Sequence, residues 1–171
     1  MKTRLTAFLV IVLALTSCDM LKKATSVDID TTLKSDIPVV VAGTKSTQAV
    51  SFSKSQDLSL SSNAEIEPYL NLIEDINLNS LVVTVNGLTA GQTINSLALD
   101  VTGVGNIFTQ TNITMTANSF TPTVSAAVLE QVATKLQSDK KITLTLSGNA
   151  SGAMSVTVSL SFDATVVASP L

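Results

Sequence analysis

The chain has no histidine and no tryptophan, one cysteine, one tyrosine and only 13% charged residues. Each shortage removes a class of chemistry. Without histidine, the usual Ser-His-Asp and Cys-His modes of nucleophile activation are excluded, as are histidine-bearing zinc sites. A lone cysteine, Cys18, cannot form a disulfide within the chain even in an oxidising compartment. With Tyr69 as the sole tyrosine, there is little material for the exposed aromatic platform on which sugar rings stack. The net charge of −3 is opposite in sign to the basic patch or stripe of a nucleic-acid surface. Gly87, Gly91, Gly103 and Gly105 sit in turn contexts rather than in a phosphate-cradling loop or dinucleotide fingerprint. The chain therefore reads as a non-enzyme, with no cofactor and no nucleic-acid partner expected.

What the chain does have is hydroxyls: 21 serines and 23 threonines, set in a sequence that is 45% hydrophobic. Such a composition is too apolar for disorder, and its threonine and valine content favours strands. Period-two alternation dominates. Met154, Val156, Val158, Leu160, Phe162, Ala164 and Val166 alternate with Ser155, Thr157, Ser159, Ser161, Asp163 and Thr165. At ~3.4 Å per residue this run reaches about 45 Å, well beyond a usual strand, so a bend or a division between two sheets is expected. Ile142, Leu144 and Leu146 alternate just before it, and Gly148-Asn149-Ala150-Ser151-Gly152 reads as the turn of a hairpin.

Further strands are expected at Val27–Asp30, Pro38–Val41, Val50–Phe52, Leu58–Leu60, Leu81–Val85, Leu97–Val101 and Ile107–Met115. Pro38 favours an edge or a strand start. Two segments carry helical spacing instead. In Asn63–Ile76, Ile66, Leu70 and Ile73, joined by Tyr69 and Ile76, form a stripe behind an Asn63 cap, provided that Pro68 lies near the helix start. In Ser125–Ser138 the stripe is Val128 or Leu129, Val132 and Leu136. The expected fold is mainly β: an immunoglobulin-like antiparallel β-sandwich of about eight or nine strands with two short helices. Those helices would cap its open ends or cross between its sheets. Residues 42–47 read as a loop, and no domain boundary is expected within 27–171.

The amino terminus carries a different message. Lys2 and Arg4 precede an apolar stretch from Leu5 to Leu15 that is too short to span a bilayer, the pattern of an export signal. Leu15-Thr16-Ser17-Cys18 then resembles the lipobox of bacterial lipoproteins: an aliphatic residue, two small residues and the cysteine. The resemblance covers the first eighteen residues. It implies diacylglyceryl transfer to the Cys18 thiol, cleavage before Cys18 and, often, acylation of the new amino group. Asp19 resembles the inner-membrane retention signal of enteric-type bacteria, a rule that other lineages do not follow, and the outer membrane is the expected destination. The organisation is then a signal peptide at 1–17, a lipidated cysteine and tether at 18–26, and one domain at 27–171. The membrane is reached through the acyl chains on Cys18.

Candidate sites downstream are few. Asp28 and Asp30 place two carboxylates on one strand face near Asp36, a partial donor set for a hard cation such as calcium or an ordinary charged edge. Asp30-Thr31-Thr32 resembles the O-glycosylation acceptor of one bacterial phylum, with Thr31 as the acceptor. The hydroxyl-rich strand faces read as solvent sides of sheets or as a docking surface, with the long C-terminal strand as the candidate for pairing with another chain. Together these point to a lipid-anchored cell-envelope protein with a structural or binding domain. It would meet an envelope protein partner or assemble with itself. The alternatives are a fimbrial or adhesin-type assembly subunit exported as a lipoprotein, and a carrier of a hydrophobic ligand.

Overall fold

The computed structural model describes residues 26–42 and 49–169. The expected export signal, Cys18 and the expected tether up to residue 25 lie outside these residues, as do positions 43–47 of the expected loop and residue 48 after it. Eight strands and one α-helix follow in the order β1 (Val27–Val41), β2 (Val50–Ser59), β3 (Ile73–Asn86), β4 (Thr93–Val101), β5 (Gly105–Thr114), β6 (Ser119–Phe120), α1 (Ala126–Asp139), β7 (Lys141–Ala150) and β8 (Met154–Ala168). They build two four-stranded sheets, ordered β1-β8-β3-β6 and β2-β7-β4-β5, with every pairing antiparallel.

The pairing is nested: β1 with β8, β2 with β7, β3 with β6 and β4 with β5. A long antiparallel ribbon, folded over so that β8 also meets β3 and β7 also meets β4, is a jelly roll. The antiparallel sandwich expected from alternation is thus present, and the strand order selects the jelly roll within that class. The two inner faces meet through Leu33, Ile37, Leu81, Phe162, Ile94, Leu97, Leu99, Leu144 and Leu146, all at most 1% exposed.

The longest alternating run forms one strand. β8 is continuous over fifteen residues and stays in a single sheet, neither divided nor shared. It can be that long because β1 matches it residue for residue from Val27↔Ala168 to Val41↔Met154. The two short strands expected within 27–41 are accordingly one, and so are the two expected between Val50 and Leu60. Pro38 lies inside β1, on an edge strand as its chemistry requires. The expected turn at 148–152 is shorter, because Gly148, Asn149 and Ala150 belong to β7.

Only one of the two expected helices forms. Over residues 63–76 the chain makes turns and a short 3-10 helix at Glu67–Tyr69, then enters β3 at Ile73. Pro68, within that 3-10 turn, has no N–H to extend it. The i, i+3 spacing of Ile73 and Ile76 has another origin: β3 carries a bulge, so that Ile73 faces Ala168 and Asp75 faces Val167, with Glu74 the extra residue. One added residue turns a period of two into a step of three, which imitates a helix. A second bulge between Leu78 and Ser80 does the same for Leu78 and Leu81.

The second stripe is a helix, as expected. Ser125 caps α1, its hydroxyl accepting from the Val128 N–H at 3.3 Å. The helix buries Leu129, Val132, Ala133 and Leu136. Lys140, left-handed at φ 58°, ends it by donating its N–H to the Leu136 carbonyl.

Candidate functional site

Alternation along β1 places Asp28 and Asp30 on the outer face of the first sheet, both exposed, with Asp36 further along the same face. Residues two apart on a strand stand roughly 6–7 Å from each other, so the carboxylates line up rather than converge. Asp30 accepts a hydrogen bond from Thr165 Oγ1 at 2.8 Å on the neighbouring strand. Among the described residues no three acidic or other metal-binding side chains come together.

Thr31 points the other way. Its side chain faces inward, 7% exposed, with its hydroxyl donating to Glu65 Oε2 and accepting from Asn63 Nδ2 at 3.0 Å. Asn63 also donates to the Thr32 carbonyl and accepts from the Glu65 N–H. This network ties the turn after β2 to β1, and it occupies the hydroxyl that glycosylation would need. Thr32, next to it, is the threonine that faces solvent.

Long strand β8 is not free to pair with another chain. It lies inside its sheet, bonded to β1 on one side and β3 on the other. Among the described residues the sheet edges belong to β1, β2, β5 and β6, while β3, where β6 stops short of it, is covered by α1. Lys54 and Gln56 interrupt the buried pattern of β2 and stay exposed between Phe52 and Leu58, a charge that discourages edge pairing there. Asp28, Lys34, Asp36 and Pro38 serve β1 in the same way.

The edge of β3 is different. The Val85 N–H donates to the Asn118 carbonyl at 2.7 Å, and Asn118 Nδ2 donates back to the Val85 carbonyl at 3.1 Å. Backbone groups of alternate residues in an antiparallel ladder turn to alternate neighbours. Val83 and Leu81 therefore turn to the same side as Val85 and, past the bulge, so do Leu78 and Ile76. β6 stops at Phe120, opposite Val83. Beyond it α1 runs beside the edge and reaches it through Gln137, whose Nε2 donates to the Glu74 carbonyl. Between helix and edge lies a groove of about 500 Å³. Ile76, Leu78, Leu129 and Ala133 form its buried floor, with Asp75 and Glu130 among its exposed lining residues. No lysine or arginine lines it. Alternation in the sequence does not reveal this groove, because it forms only where α1 lies beside a strand distant in sequence.

Two surface carboxylates are held below the usual carboxylate range. Asp57 accepts hydrogen bonds from Thr143 and Lys141, and Asp139 from Lys135 and Ser138. A folded-state value below the unfolded one makes the ionised form favour folding, so that stability is present above the unfolded value and lost as pH falls through the folded one. Urea unfolding midpoints should therefore drop between neutral pH and below 3.8, the ordinary value for Asp57. The Asp57→Asn variant should show a smaller drop; an equal drop would remove Asp57 from the account.

No family model matches the chain, and no curated protein matches it. Solved structures similar in chain path include a decameric BFDV capsid protein, 12% identical, covering 82% of this chain and 99% of that one at a TM-score of 0.42. Another is the semi-empty virus-like particle of the giant freshwater prawn (Macrobrachium rosenbergii) nodavirus, 10% identical, with coverages of 85% and 96% and a TM-score of 0.40. A third is Desmodium yellow mottle tymovirus, 11% identical, with coverages of 84% and 90% and a TM-score of 0.33. At these scores the likeness carries no argument about function. The jelly roll stands on the strand order.

Proposed function

We propose that this is a lipid-anchored protein of the bacterial cell envelope, destined for the outer membrane, whose jelly-roll domain binds rather than catalyses. The observation that carries the reading is the order of signals at the amino terminus: Lys2 and Arg4, the apolar stretch to Leu15, then Thr16-Ser17-Cys18. One acyl chain gives marginal membrane binding, whereas two or three hold firmly, at ~0.8 kcal/mol per buried methylene. Among the described residues no helix is long and apolar enough to cross a membrane, and lipid on Cys18 supplies attachment without one. From Cys18 to the first residue of β1, Val27, the extended chain reaches roughly 30 Å. That is enough to hold the domain clear of the headgroups.

In cells fed an alkyne analogue of palmitate, the full chain should take up label and fractionate with membranes, and with the outer membrane on a density gradient. The Cys18→Ser variant should lose both label and membrane association. Continued membrane partitioning of that variant would overturn the anchor.

A further inference from the structure

We propose that the free edge of β5 is an interface between two copies of this chain. The strands pair antiparallel across a two-fold axis at Gln110 and join the second sheets of both copies into one continuous sheet. This names a partner for the binding role proposed above and rests on that role, but not on how the domain is anchored.

The edge is accessible. β4 is the only strand beside β5, α1 packs on β3 and β7 instead, and Thr109, Thr111 and Asn112 are exposed. The direction of the backbone groups follows from β4. A Cβ on Gly148 would collide with the Ser96 carbonyl oxygen, so Ser96 turns toward β7. Successive residues turn to opposite neighbours, which points Leu97 and Leu99 at β5 and their partners Gln110 and Phe108 back at β4. Thr109 and Thr111 therefore turn their N–H and C=O groups away from the sheet. Among the described residues no main-chain group of a turn, loop or cap bonds to either. The Thr111 carbonyl accepts only a side-chain bond, from Gln110 Nε2 at 3.4 Å.

Two irregularities bound this row. β5 gains a residue at Ile107, since Leu99 faces Phe108 but Asp100 faces Asn106, and Asn112 is left-handed at φ 55°. Only the stretch from Thr109 to Thr111 stays regular. A row that short fits a two-fold in one register: Thr109 of each copy opposite Thr111 of the other, with Gln110 meeting Gln110. Both threonine pairs then exchange their main-chain hydrogen bonds. An interface of this isologous kind closes at the dimer and does not propagate into a fibre.

Charge selects the second copy as the occupant. A two-fold sets residues near the axis against themselves or their close neighbours, so a charge there meets its like. The β1 edge carries Asp28, Asp30, Lys34 and Asp36, and the β2 edge carries Lys54 and Asp57, whereas β5 has no charged residue. Nor has the chain anywhere between Asp100 and Glu130. At the axis, the Gln110 amide both donates and accepts, which lets it pair with its own copy. Met115, just past the strand, is 50% exposed and is of a type enriched at interfaces.

Oxidative cross-linking of the full chain in isolated membranes tests the interface. Opposed residues of a non-hydrogen-bonded pair have Cα atoms ~4.5 Å apart, within disulfide reach. Gln110→Cys treated with copper phenanthroline should therefore run as a dimer on a non-reducing gel. Thr32→Cys, exposed on the β1 edge, should stay monomeric. In detergent, amide exchange at Thr109 and Thr111 should slow as the concentration of the chain rises. Thr109→Lys/Thr111→Lys should raise the dimer dissociation constant by about tenfold or more. Ser51→Lys/Ser53→Lys, exposed on the other edge of the same sheet, should leave it unchanged.

Equal cross-linking at positions 110 and 32, equal weakening by both lysine pairs, or exchange independent of concentration would each overturn the interface. A Gln110→Cys adduct of any mass other than twice that of the chain would give the edge to a different protein and overturn the second copy. Cross-linking of the unsubstituted chain would reveal a free Cys18 thiol and count against the lipid anchor instead. Exchange and the lysine variants would still decide the interface, so the two readings fail separately.

Discussion

Replacing Phe162 by alanine should destabilise the domain by about 3–5 kcal/mol, the range for a large aromatic removed from a well-packed core. Phe162 is fully buried, at the centre of β8, the strand that holds the first sheet together. Leu33 of β1 and Leu81 of β3 flank it in register, each 1% exposed. The cavity would therefore open where three strands meet and where the other sheet packs on top. Neither neighbour can collapse into it without breaking the Leu33↔Phe162↔Leu81 row. Domains are stable by only ~5–15 kcal/mol in total, so the loss takes a large share. A drop in melting temperature of roughly 10 °C or more corresponds to it for a chain of this size. Ser161→Ala, one residue away on a solvent-facing position, should change stability by no more than ~0.5 kcal/mol. Urea unfolding followed by circular dichroism measures both. Equal midpoints for the two variants would show that Phe162 is not where the sheets are clamped.

Gly148 is the second site where a small change has a large effect. It lies in β7 between Phe52 of β2 and Leu97 of β4. A Cβ there would sit 2.1 Å from the Ser96 carbonyl oxygen and 2.9 Å from Phe52 Cζ. β4 has a register shift between Ile94 and Ser96 at this point, and its backbone takes the space that a side chain on β7 would need. A phenyl ring can swing away; a carbonyl inside a ladder cannot. Gly148→Ala should therefore destabilise by about 1–3 kcal/mol, as overpacking does, and Gly148→Val by more. Gly152 has open space where its Cβ would be, and Gly152→Ala should leave the unfolding midpoint nearly unchanged. If the two alanine variants were equally stable, the close approach of β4 to β7 would be incorrect.

These two residues mark how far a linear reading reaches. Phe162 was legible as a core residue because period-two alternation needs only neighbouring positions: Leu160, Phe162 and Ala164 must share a face whatever the sheet. The capped stripe of α1 was legible for the same reason. Gly148 reads from sequence as part of a turn, since a glycine near Asn149 and Gly152 looks the same whether it frees the chain to bend or makes room for another strand. The distinction lies in Ser96, more than fifty residues away. The false helix over 63–76 has a similar cause. A bulge at Glu74 is specified by how β3 meets β8, and within the segment itself the resulting spacing matches a helical one.

Candidate sites divide along the same line. Asp28 and Asp30 share one exposed face because strand alternation requires it, whereas whether Thr31 is open or engaged depends on Asn63 and Glu65 coming back across β1. The β3 groove has no local signal, because Ile76 falls in the expected helix, Leu78 in no expected element, and the α1 residues that face them lie some fifty positions on. By itself, the sequence determined that the chain is mainly β, which residues face the core and where α1 runs. Those properties follow from short-range periodicity and composition. Tertiary structure alone decided that the ribbon rolls with β8 inside, that Gly148 is a contact and that α1 lies along β3 where β6 stops. Each depends on which distant strands lie side by side, and alternation with a period of two is the same in every strand order.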